Sequence, residues 1–288
     1  SHPFAEAARR LGLEYAPGWF ARPGELTDLC RVVAEFGGIY STHMRDEGDH
    51  IEQAVEETLA VARETGVSLQ ISHFKTCGPA NWPKMDRLLA TLEKAAREGI
   101  AVGIDRYPYL AGCTSLAILL PPWSRQGKEQ DLKARLQNPG ECARIQEHVE
   151  AALARTGGAD KVIICGTAKE ALRVYQGKSL EEGGRQNQES PFAFFRRLIL
   201  EESAEVGIVL FSMCEENLKK VLAFPLTSIG SDMGTSAPYG TLSRGLPHPR
   251  AYGTFPRVLG HYCRDERLLD LPLFRLELPT PFPVGPVN

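Results

Sequence analysis

The sequence predicts an α/β fold built from repeated strand–helix units, and more narrowly a part of a (β/α)8 barrel. Three observations favour this fold. Short apolar runs rich in β-branched residues alternate with amphipathic segments of helical period, glycines follow several of these segments, and polar titratable residues follow several of the runs. A single large domain is expected, because 288 residues of which 43% are hydrophobic can bury a substantial core.

The first two units show this repeat most clearly. Residues 11–15 form a strand-like run that ends at a turn, and the helix expected at about residues 24–36 stops at two glycines. The next strand, at residues 38–43, precedes a helix at about residues 50–64. One face of that helix is apolar and should be buried; it comprises Ile51, Val55, Leu59 and Ala62.

Two further strands are expected at residues 67–73 and 100–105, on either side of a helix at about residues 83–97 that begins with proline. The repeat is then interrupted between about residues 110 and 190. Helical segments at residues 128–136 and 141–155 flank an apolar run at residues 162–164 in this part of the chain. Such an interruption is typical of an insertion that follows a strand.

The repeat returns in the last third of the chain. Its predicted elements are a helix at about residues 191–202, a strand at 206–210, a helix near 215–222, a strand-like run at 227–232 and a helix at about 256–267. Six strand-like runs, or seven with residues 162–164, fall short of the eight strands of a closed barrel. The sequence therefore predicts a partial barrel over residues 1–267 whose first strands are missing, followed by an irregular proline-rich tail at residues 268–288.

Composition excludes several classes of function. The net charge is only −3 and the basic residues are scattered, so no surface for nucleic acid or for an anionic membrane is predicted. No apolar run approaches the roughly 18 residues needed to cross a bilayer, and a cytoplasmic location is expected. The seven cysteines are widely spaced and should be reduced thiols. Surface left open by missing strands predicts self-association.

Polar residues at the predicted strand ends are the candidates for chemistry. In a βα barrel the C-terminal ends of the strands meet at one mouth, where the active sites of this fold lie. Residues from separate strands can therefore meet there. The candidates are Tyr15, His43, Arg45, His73, Lys75 and Asp232.

Two strands repeat one pattern, a histidine followed two residues later by a cation. Because side chains on a strand alternate with a period of two, His43 and Arg45 share a face, as do His73 and Lys75. A neutral imidazole is a good zinc ligand, and a cation beyond it can hold a carboxylate or a phosphate. A single histidine at a strand end is more often a packed or solvated residue, so the zinc hypothesis depends on the two histidines together.

Structural roles compete with chemical ones at several positions. Asp232 can cap a turn, and the acidic residues Asp46 and Glu47 can mark the start of a capped helix. Cys77 is a soft metal ligand without a partner at metal spacing. Solvent exposure is the simpler role for His248.

One further strand exit carries Asp105, Tyr107 and Tyr109 on one side. Aromatic residues at this position usually line the barrel rim, although a phenol can also stabilise an oxyanion. The sequence lacks a GxSxG elbow, a P-loop, a GxGxxG fingerprint and an HExxH motif, so nucleotide and serine-hydrolase chemistries lose their main support.

Five segments taken together resemble the D-aminoacylase branch of the amidohydrolase superfamily. They are GLEYAPG at residues 12–18, GIYSTHMRDE at 38–47, SHFK at 72–75, DRYPY at 105–109 and GSD at 230–232. The likeness extends from about residue 11 to residue 268 and is weakest between residues 121 and 187. The set is specific, whereas no single motif would be.

The resemblance implies a (β/α)8 barrel with a small β-sandwich, Zn²⁺ as the cofactor, and hydrolysis of a small N-acyl-D-amino acid to a carboxylate and a D-amino acid. It implies that His43 and His73 bind zinc and that Asp232, placed at the same metal, handles the proton. It also implies substrate-binding residues, namely Lys75, Tyr15, Tyr107, Arg45 and Arg244. Zinc in such a site lowers the pKa of water toward about 7 for attack on the amide carbonyl.

Two departures from the family pattern leave alternatives open. Members of the family begin with sandwich residues, a His-x-His strand and a cysteine that bridges to the zinc, and nothing before Tyr15 supplies these. The chain is therefore also interpreted as an inactive barrel fragment that associates with another chain. A third interpretation keeps the metal and the barrel and changes the substrate to a cyclic amide, as in dihydroorotases and hydantoinases.

Overall fold

The computed structural model describes residues 11–15, 17–237, 239–243 and 246–270. Helices and strands alternate through much of this range, as expected for an α/β fold. Arg244 and residues 271–288 of the predicted tail lie outside the described residues.

The first four strands of the chain and one later strand form a parallel sheet of five strands. Its order is β1-β2-β3-β4-β8, and all of its neighbouring strands are parallel. Its strands are β1 (Leu11–Gly12), β2 (Ile39–His43), β3 (Ser68–Ile71), β4 (Val102–Arg106) and β8 (Thr227–Ile229). The strands predicted at residues 38–43, 67–73 and 100–105 are thus confirmed, with shorter bounds.

Helices α1 (Pro23–Glu35), α2 (Ile51–Thr65) and α3 (Met85–Arg97) follow the first three strands. The predicted helices agree within two residues, except that a 3-10 helix, Pro79–Lys84, precedes α3. The expected apolar face of α2 is buried along its whole length. Gly66 ends α2 in the left-handed conformation, at a φ of 70°, which glycine adopts without a steric penalty.

A second, antiparallel sheet of three strands has the order β5-β7-β6. Its strands are β5 (Ala111–Ser115), β6 (Val162–Gly166) and β7 (Gly207–Phe211). The expectation that residues 206–210 belong with the barrel strands is therefore wrong, and residues 162–164, predicted within an insertion, do not supply a seventh barrel strand. A short apolar run has the same composition in either kind of sheet, and only the strand beside it decides.

The helices of the second sheet are α4 (Glu129–Gln137), α5 (Pro139–Thr156), α6 (Leu180–Gln186) and α7 (Pro191–Glu201). Three of them were predicted, whereas α6 and β5 were not. Asn138 separates α4 from α5, and its side chain accepts a hydrogen bond from the backbone N–H of Glu141. Short 3-10 helices complete this part: Leu116–Leu119, Pro122–Arg125, Ala159–Lys161 and Glu170–Tyr175.

The last described elements are α8 (Glu215–Leu222), α9 (Arg250–Arg257) and a π-helix, Val258–Asp265. A single α-helix was expected at residues 256–267. Pro256 lacks the backbone N–H that would continue the regular pattern, and the helix widens just beyond it. Two 3-10 helices, Gly18–Phe20 and Gly240–Ser243, lie in loops.

Two separate apolar cores stabilise the two sheets. The first lies between the parallel sheet and α1 to α3 and includes Leu69 and Ile104, both fully buried. The second lies against the antiparallel sheet and includes Ile164 and Phe194. Among the described residues, none of the helices combines the length and the apolar character that a membrane-crossing helix requires.

Candidate active site

A cavity of about 610 Å³ opens where the parallel strands end. Its wall combines residues that follow β1, β2, β3 and β8 with residues of the antiparallel strands β5 and β7. This volume is suitable for a small organic ligand. The predicted site residues that line it are Tyr15, His43, Arg45, His73, Lys75, Tyr107 and Asp232.

His43 and His73 meet at the ends of the neighbouring strands β2 and β3. Because Thr42 and Ile71 are partners in the parallel register, His43, one residue after Thr42, and His73, two residues after Ile71, lie at adjacent levels. The centroids of the two imidazole rings are 4.3 Å apart, with 68° between the ring planes. One nitrogen of each ring and a carboxylate oxygen of Glu47 all lie within 4.8 Å of one another. Glu47 thus joins the predicted pair.

The position of His73 is fixed by its backbone. Its φ of 42° lies in the left-handed region, which non-glycine residues adopt rarely and only where other contacts enforce it. Asp105 supplies such a contact, since its Oδ1 accepts a hydrogen bond of 2.8 Å from the His73 backbone N–H. A Cβ on Gly230 would lie 3.3 Å from this Oδ1, so the glycine leaves room for the carboxylate. Asp105 therefore orients His73.

Lys75 is buried beside Glu47 and His73. Its Nζ donates to Glu47 Oε1 at 2.5 Å and lies 2.9 Å from Nδ1 and 3.1 Å from the carbonyl oxygen of His73. These three acceptors match the three N–H bonds of the ammonium group. The cation that was predicted to hold substrate is thus paired with Glu47 in this structure.

The charges of this group depend on one another. Burial by itself would raise the pKa of Glu47, but Lys75 and the two imidazoles outweigh it and hold that pKa well below its ordinary value. Burial lowers the pKa of His73, and Lys75 lowers it further. Burial would also lower the pKa of Lys75, but Glu47 raises it above the ordinary value. The structure therefore favours a carboxylate, a neutral imidazole and an ammonium ion.

Glu14 is a second carboxylate of the site that the sequence reasoning missed. It contacts Nε2 of His43, and burial raises its pKa in spite of that contact. No spacing pattern connects Glu14 with the histidines, because β1 ends before it. The signal that marks Glu47 is its place in the polar segment that directly follows His43 at the end of β2.

Asp232 lies on the same cavity wall but outside the cluster of His43, Glu47 and His73. Its φ of 49° is again left-handed, so β8 ends in the same unusual way as β3. Its Oδ2 pairs with Nη2 of the buried Arg250 at 2.9 Å, and 37% of its side chain is exposed. The structure thus gives Asp232 an arginine partner, where a place at the metal was expected.

Arg45 has a structural set of partners. Its Nε and Nη2 donate to the carboxylate of Glu57 on α2, with distances of 2.9 Å for the shortest contacts. Its remaining N–H groups reach the carbonyl oxygens of Trp19 and Ala21. The guanidinium therefore joins α2 to the loop before α1. Its role in substrate binding stays a prediction.

Tyr107 and Tyr15 present phenols to the cavity. The hydroxyl of Tyr107 is buried and has no hydrogen-bond partner among the described residues. The guanidinium groups of Arg106 and Arg250 lie 4.1 and 4.4 Å from the centroid of its ring. The Tyr15 hydroxyl lies 3.0 Å from Oγ1 of Thr114 on β5, and burial raises its pKa.

Other candidates have structural roles. Asp46 accepts hydrogen bonds from the backbone N–H groups of Gly48 and His50 in the loop before α2. The N-cap residue of α2 is His50, without a side-chain capping bond, so neither Asp46 nor Glu47 caps this helix. His248 is buried, and its Nδ1 accepts from the Arg250 backbone N–H at 3.0 Å. Solvent exposure is thus wrong for His248.

The donor set fits a zinc ion. Imidazole nitrogens and carboxylate oxygens are ordinary zinc ligands, and His43, Glu47 and His73 offer three of them from buried or half-buried positions. The carboxylates of Glu14 and Glu47 are both held in this small volume, where a divalent cation would balance their charge.

A second group with metal-ligand geometry lies on α8 and the π-helix, at Glu215, His261 and Glu266. The ammonium group of Lys219 lies 2.7 Å from Glu266 Oε2 and 4.0 Å from Glu215 Oε1. A cation of the protein itself therefore pairs with these carboxylates, as Lys75 pairs with Glu47 in the first cluster.

Comparison with known proteins identifies similar chains. No family model matches the chain. It is 34% identical over 261 residues to the D-aminoacylase of Alcaligenes xylosoxydans xylosoxydans and 33% identical over 260 residues to the N-acyl-D-glutamate deacylase of the same organism. Each match covers 90% of this chain and 43% of the relative. The chain thus spans less than half the length of these relatives.

Solved structures agree with this result. The N-acyl-D-glutamate deacylase of Bordetella bronchiseptica, complexed with zinc and a phosphonate that mimics the tetrahedral intermediate, matches with a TM-score of 0.69 and 30% identity. That match covers 91% of this chain and 45% of the other. A D-aminoacylase described as defining a novel subset of amidohydrolases matches with a TM-score of 0.65 and 34% identity, over 90% of this chain and 44% of the other. Over about 90% of its length, this chain is therefore homologous to part of the N-acyl-D-amino-acid deacylases, the D-aminoacylase branch of the amidohydrolases.

Proposed function

We propose that this chain carries part of the active site of a zinc-dependent hydrolase that cleaves the amide bond of N-acyl-D-amino acids to a carboxylate and a D-amino acid. The observation that carries the proposal is the cluster of His43, Glu47 and His73 at the strand ends that face one cavity. The parallel strands are proposed to be part of the (β/α)8 barrel that the family likeness implies.

The zinc ion would be held by His43, Glu47 and His73. When bound, it supplies Lewis-acid chemistry, polarising a carbonyl oxygen and making water more acidic. Asp105 contributes by holding the backbone of His73 in its left-handed conformation. Glu14, in contact with His43 Nε2, restricts the rotation of that ring.

Lys75 and Tyr107 are proposed to bind the polar ends of the substrate. The Lys75 ammonium holds the α-carboxylate after giving up one of its contacts with His73. The unpartnered hydroxyl of Tyr107 donates to the amide carbonyl oxygen, where negative charge develops. Tyr15 also lines the cavity, and the centroid of its ring lies 5.0 Å from that of the His43 ring.

Asp232 is proposed to move the proton. Its carboxylate takes a proton from the attacking water and delivers it to the amide nitrogen, so that the amine can leave. The ion pair with Arg250 holds this carboxylate on the cavity wall. Asp232 must turn from Arg250 toward the histidines to act, and its 37% exposure leaves it free to do so.

The test measures zinc and turnover together. The purified chain should retain about one zinc ion and hydrolyse N-acetyl-D-amino acids, with hydantoins and dihydropyrimidines as the competing substrate class. His73→Asn should remove both the zinc and the activity, whereas His261→Asn, outside the cavity and in the second group, should leave both unchanged.

Three results would contradict the proposal. A zinc-free, inactive chain would favour the inactive-fragment interpretation, and turnover of cyclic amides alone would favour the dihydroorotase-like one. Zinc that persists in His73→Asn but is lost in His261→Asn would place the metal at the second cluster instead.

A further inference from the structure

Two cysteines of the antiparallel sheet lie close together. Cys113 on β5 and Cys165 on β6 have their Sγ atoms 4.0 Å apart, although the residues are separated by 52 positions in the sequence and β7 runs between their strands. Both are free thiols and both are partly exposed. Neither of them belongs to the zinc cluster described above.

The local backbone brings the two sulfurs together. β6 has an irregularity in its pairing between Ile164 and Gly166, at the position of Cys165. The side chain of Cys165 passes over Gly207 of β7, where a Cβ would lie only 3.3 Å from its Sγ. A larger residue at position 207 would therefore separate the thiols.

Cys113 is the more reactive and the more accessible of the two. It lines the 610 Å³ cavity, whereas Cys165 lies behind it. The hydrogen bond with Cys165 lowers the pKa of Cys113 below its ordinary value, against the effect of burial and with a contribution from the Arg250 guanidinium. Arg250 is held at this place, with its Nη2 3.5 Å from the carbonyl oxygen of Cys113.

We propose that Cys113 and Cys165 are a peroxide-reactive thiol pair that forms a disulfide in the wall of the cavity. Hydrogen peroxide is the oxidant. The Cys113 thiolate attacks one peroxide oxygen, the O–O bond breaks, and the departing hydroxide takes a proton to leave as water. Cys165 then attacks the sulfenic acid of Cys113, and a second water leaves as the S–S bond forms. In sum, two thiols and one peroxide give one disulfide and two waters.

Oxidation of this pair changes the cavity wall at Thr114, which is the neighbour of Cys113 on β5. The Thr114 side chain lies within hydrogen-bond distance of the Tyr15 hydroxyl, at 3.0 Å. The sulfurs must approach by about 2 Å to bond, so the strand segment that carries Thr114 has to shift. Formation of the disulfide in the presence of peroxide therefore shifts the part of the cavity wall that faces Tyr15. This chemistry does not depend on the proposed hydrolysis.

The test is made on the purified chain in its reduced state. Treatment with hydrogen peroxide should lower the intact mass by about 2 Da, the loss of two hydrogens, and peptide mapping without reductant should yield one linked pair that contains Cys113 and Cys165. Dithiothreitol should restore the original mass. Before oxidation, iodoacetamide at neutral pH should label Cys113 faster than the buried Cys30.

The variants Cys113→Ser and Cys165→Ser should each abolish the linked peptide, and Cys142→Ser, at a partly exposed thiol on α5, should leave its yield unchanged. The proposal is overturned by a linked peptide that joins other cysteines. It is equally overturned if Cys113 passes to the sulfinic acid, a gain of about 32 Da, or stays reduced while other thiols oxidise.

Discussion

Glu47 supplies the negative charge that pairs with Lys75 in the wall of the cavity. Its side chain is 6% exposed, and it lies within 3.0 Å of both the His73 Nδ1 and the Lys75 Nζ. A buried ammonium group is tolerated only where a carboxylate accompanies it, because removal from water is costly for an unpaired ion. Glu47 therefore serves stability as well as the proposed metal site.

Replacement of Glu47 by glutamine tests both roles. The amide keeps the size of the side chain but leaves Lys75 without a counterion, so the free energy of unfolding should fall by about 3 kcal/mol. Zinc retention should fall as well, because an amide oxygen is a weaker ligand than a carboxylate. Urea unfolding and metal analysis of the same samples give the two results.

Glu35→Gln is the matched control, since Glu35 is the exposed last residue of α1. It should change the unfolding free energy by less than about 0.5 kcal/mol. A Glu47→Gln protein as stable as the wild type would show that Lys75 does not need its carboxylate.

At the scale of elements, α6 and α7 illustrate how packing overrides local preference. Gly183 lies within α6, where alanine has the higher intrinsic helix propensity. A Cβ at position 183, however, would lie 2.1 Å from Cε1 of Phe194 on α7. Phe194 is fully buried and packs against Tyr175, with ring centroids 4.9 Å apart, so it cannot move aside.

Gly183→Ala should therefore destabilise the protein by about 2 kcal/mol, within the range for overpacked cores. The measurement is the urea midpoint at constant m-value. Gly24→Ala in the first turn of α1 is the matched control, because nothing lies within 4 Å of the added carbon. It should leave stability unchanged or raise it, and an equal loss in both variants would refute the steric explanation.

At the scale of the whole molecule, stability should depend on pH through His248. Burial, with the nearby Arg250 guanidinium, lowers the pKa of His248 to about 4. The unfolded chain binds a proton at this histidine below a pKa of about 6.5, whereas the folded chain does not. The contribution of His248 to stability is thus unchanged above about pH 6.5, and it is lost progressively as the pH falls from there to about 4.

The expected loss from His248 is about 2 kcal/mol between pH 7 and pH 4.5. His248→Asn removes the titration and keeps a side-chain oxygen that can accept the Arg250 backbone N–H. The difference in unfolding free energy between the two pH values should therefore be smaller in the variant. If the unfolding free energies of the variant and the wild type fall equally with pH, His248 is not the source of the pH dependence.

The sequence determined the local elements and the identity of several site residues. Helical periodicity and glycine stops located α1, α2 and α3, because a buried helical face and a left-handed helix end each impose their own residue types. The strand-end histidines, Lys75 and Tyr107 were recognisable as cavity residues, since parallel strands end at one edge of a sheet.

Only the tertiary structure decided which charged groups form ion pairs and which strands belong to the same sheet. Glu14 and Glu57 had no role assigned from the sequence, and Glu47 had only a place at the start of a helix, because a carboxylate contacts its cation across the fold rather than at a fixed spacing. The runs that became β6 and β7 carry no mark of the antiparallel sheet, because strand pairing depends on residues far away in the chain. Composition and period thus specify what each segment can be, and packing between distant segments specifies what it contacts.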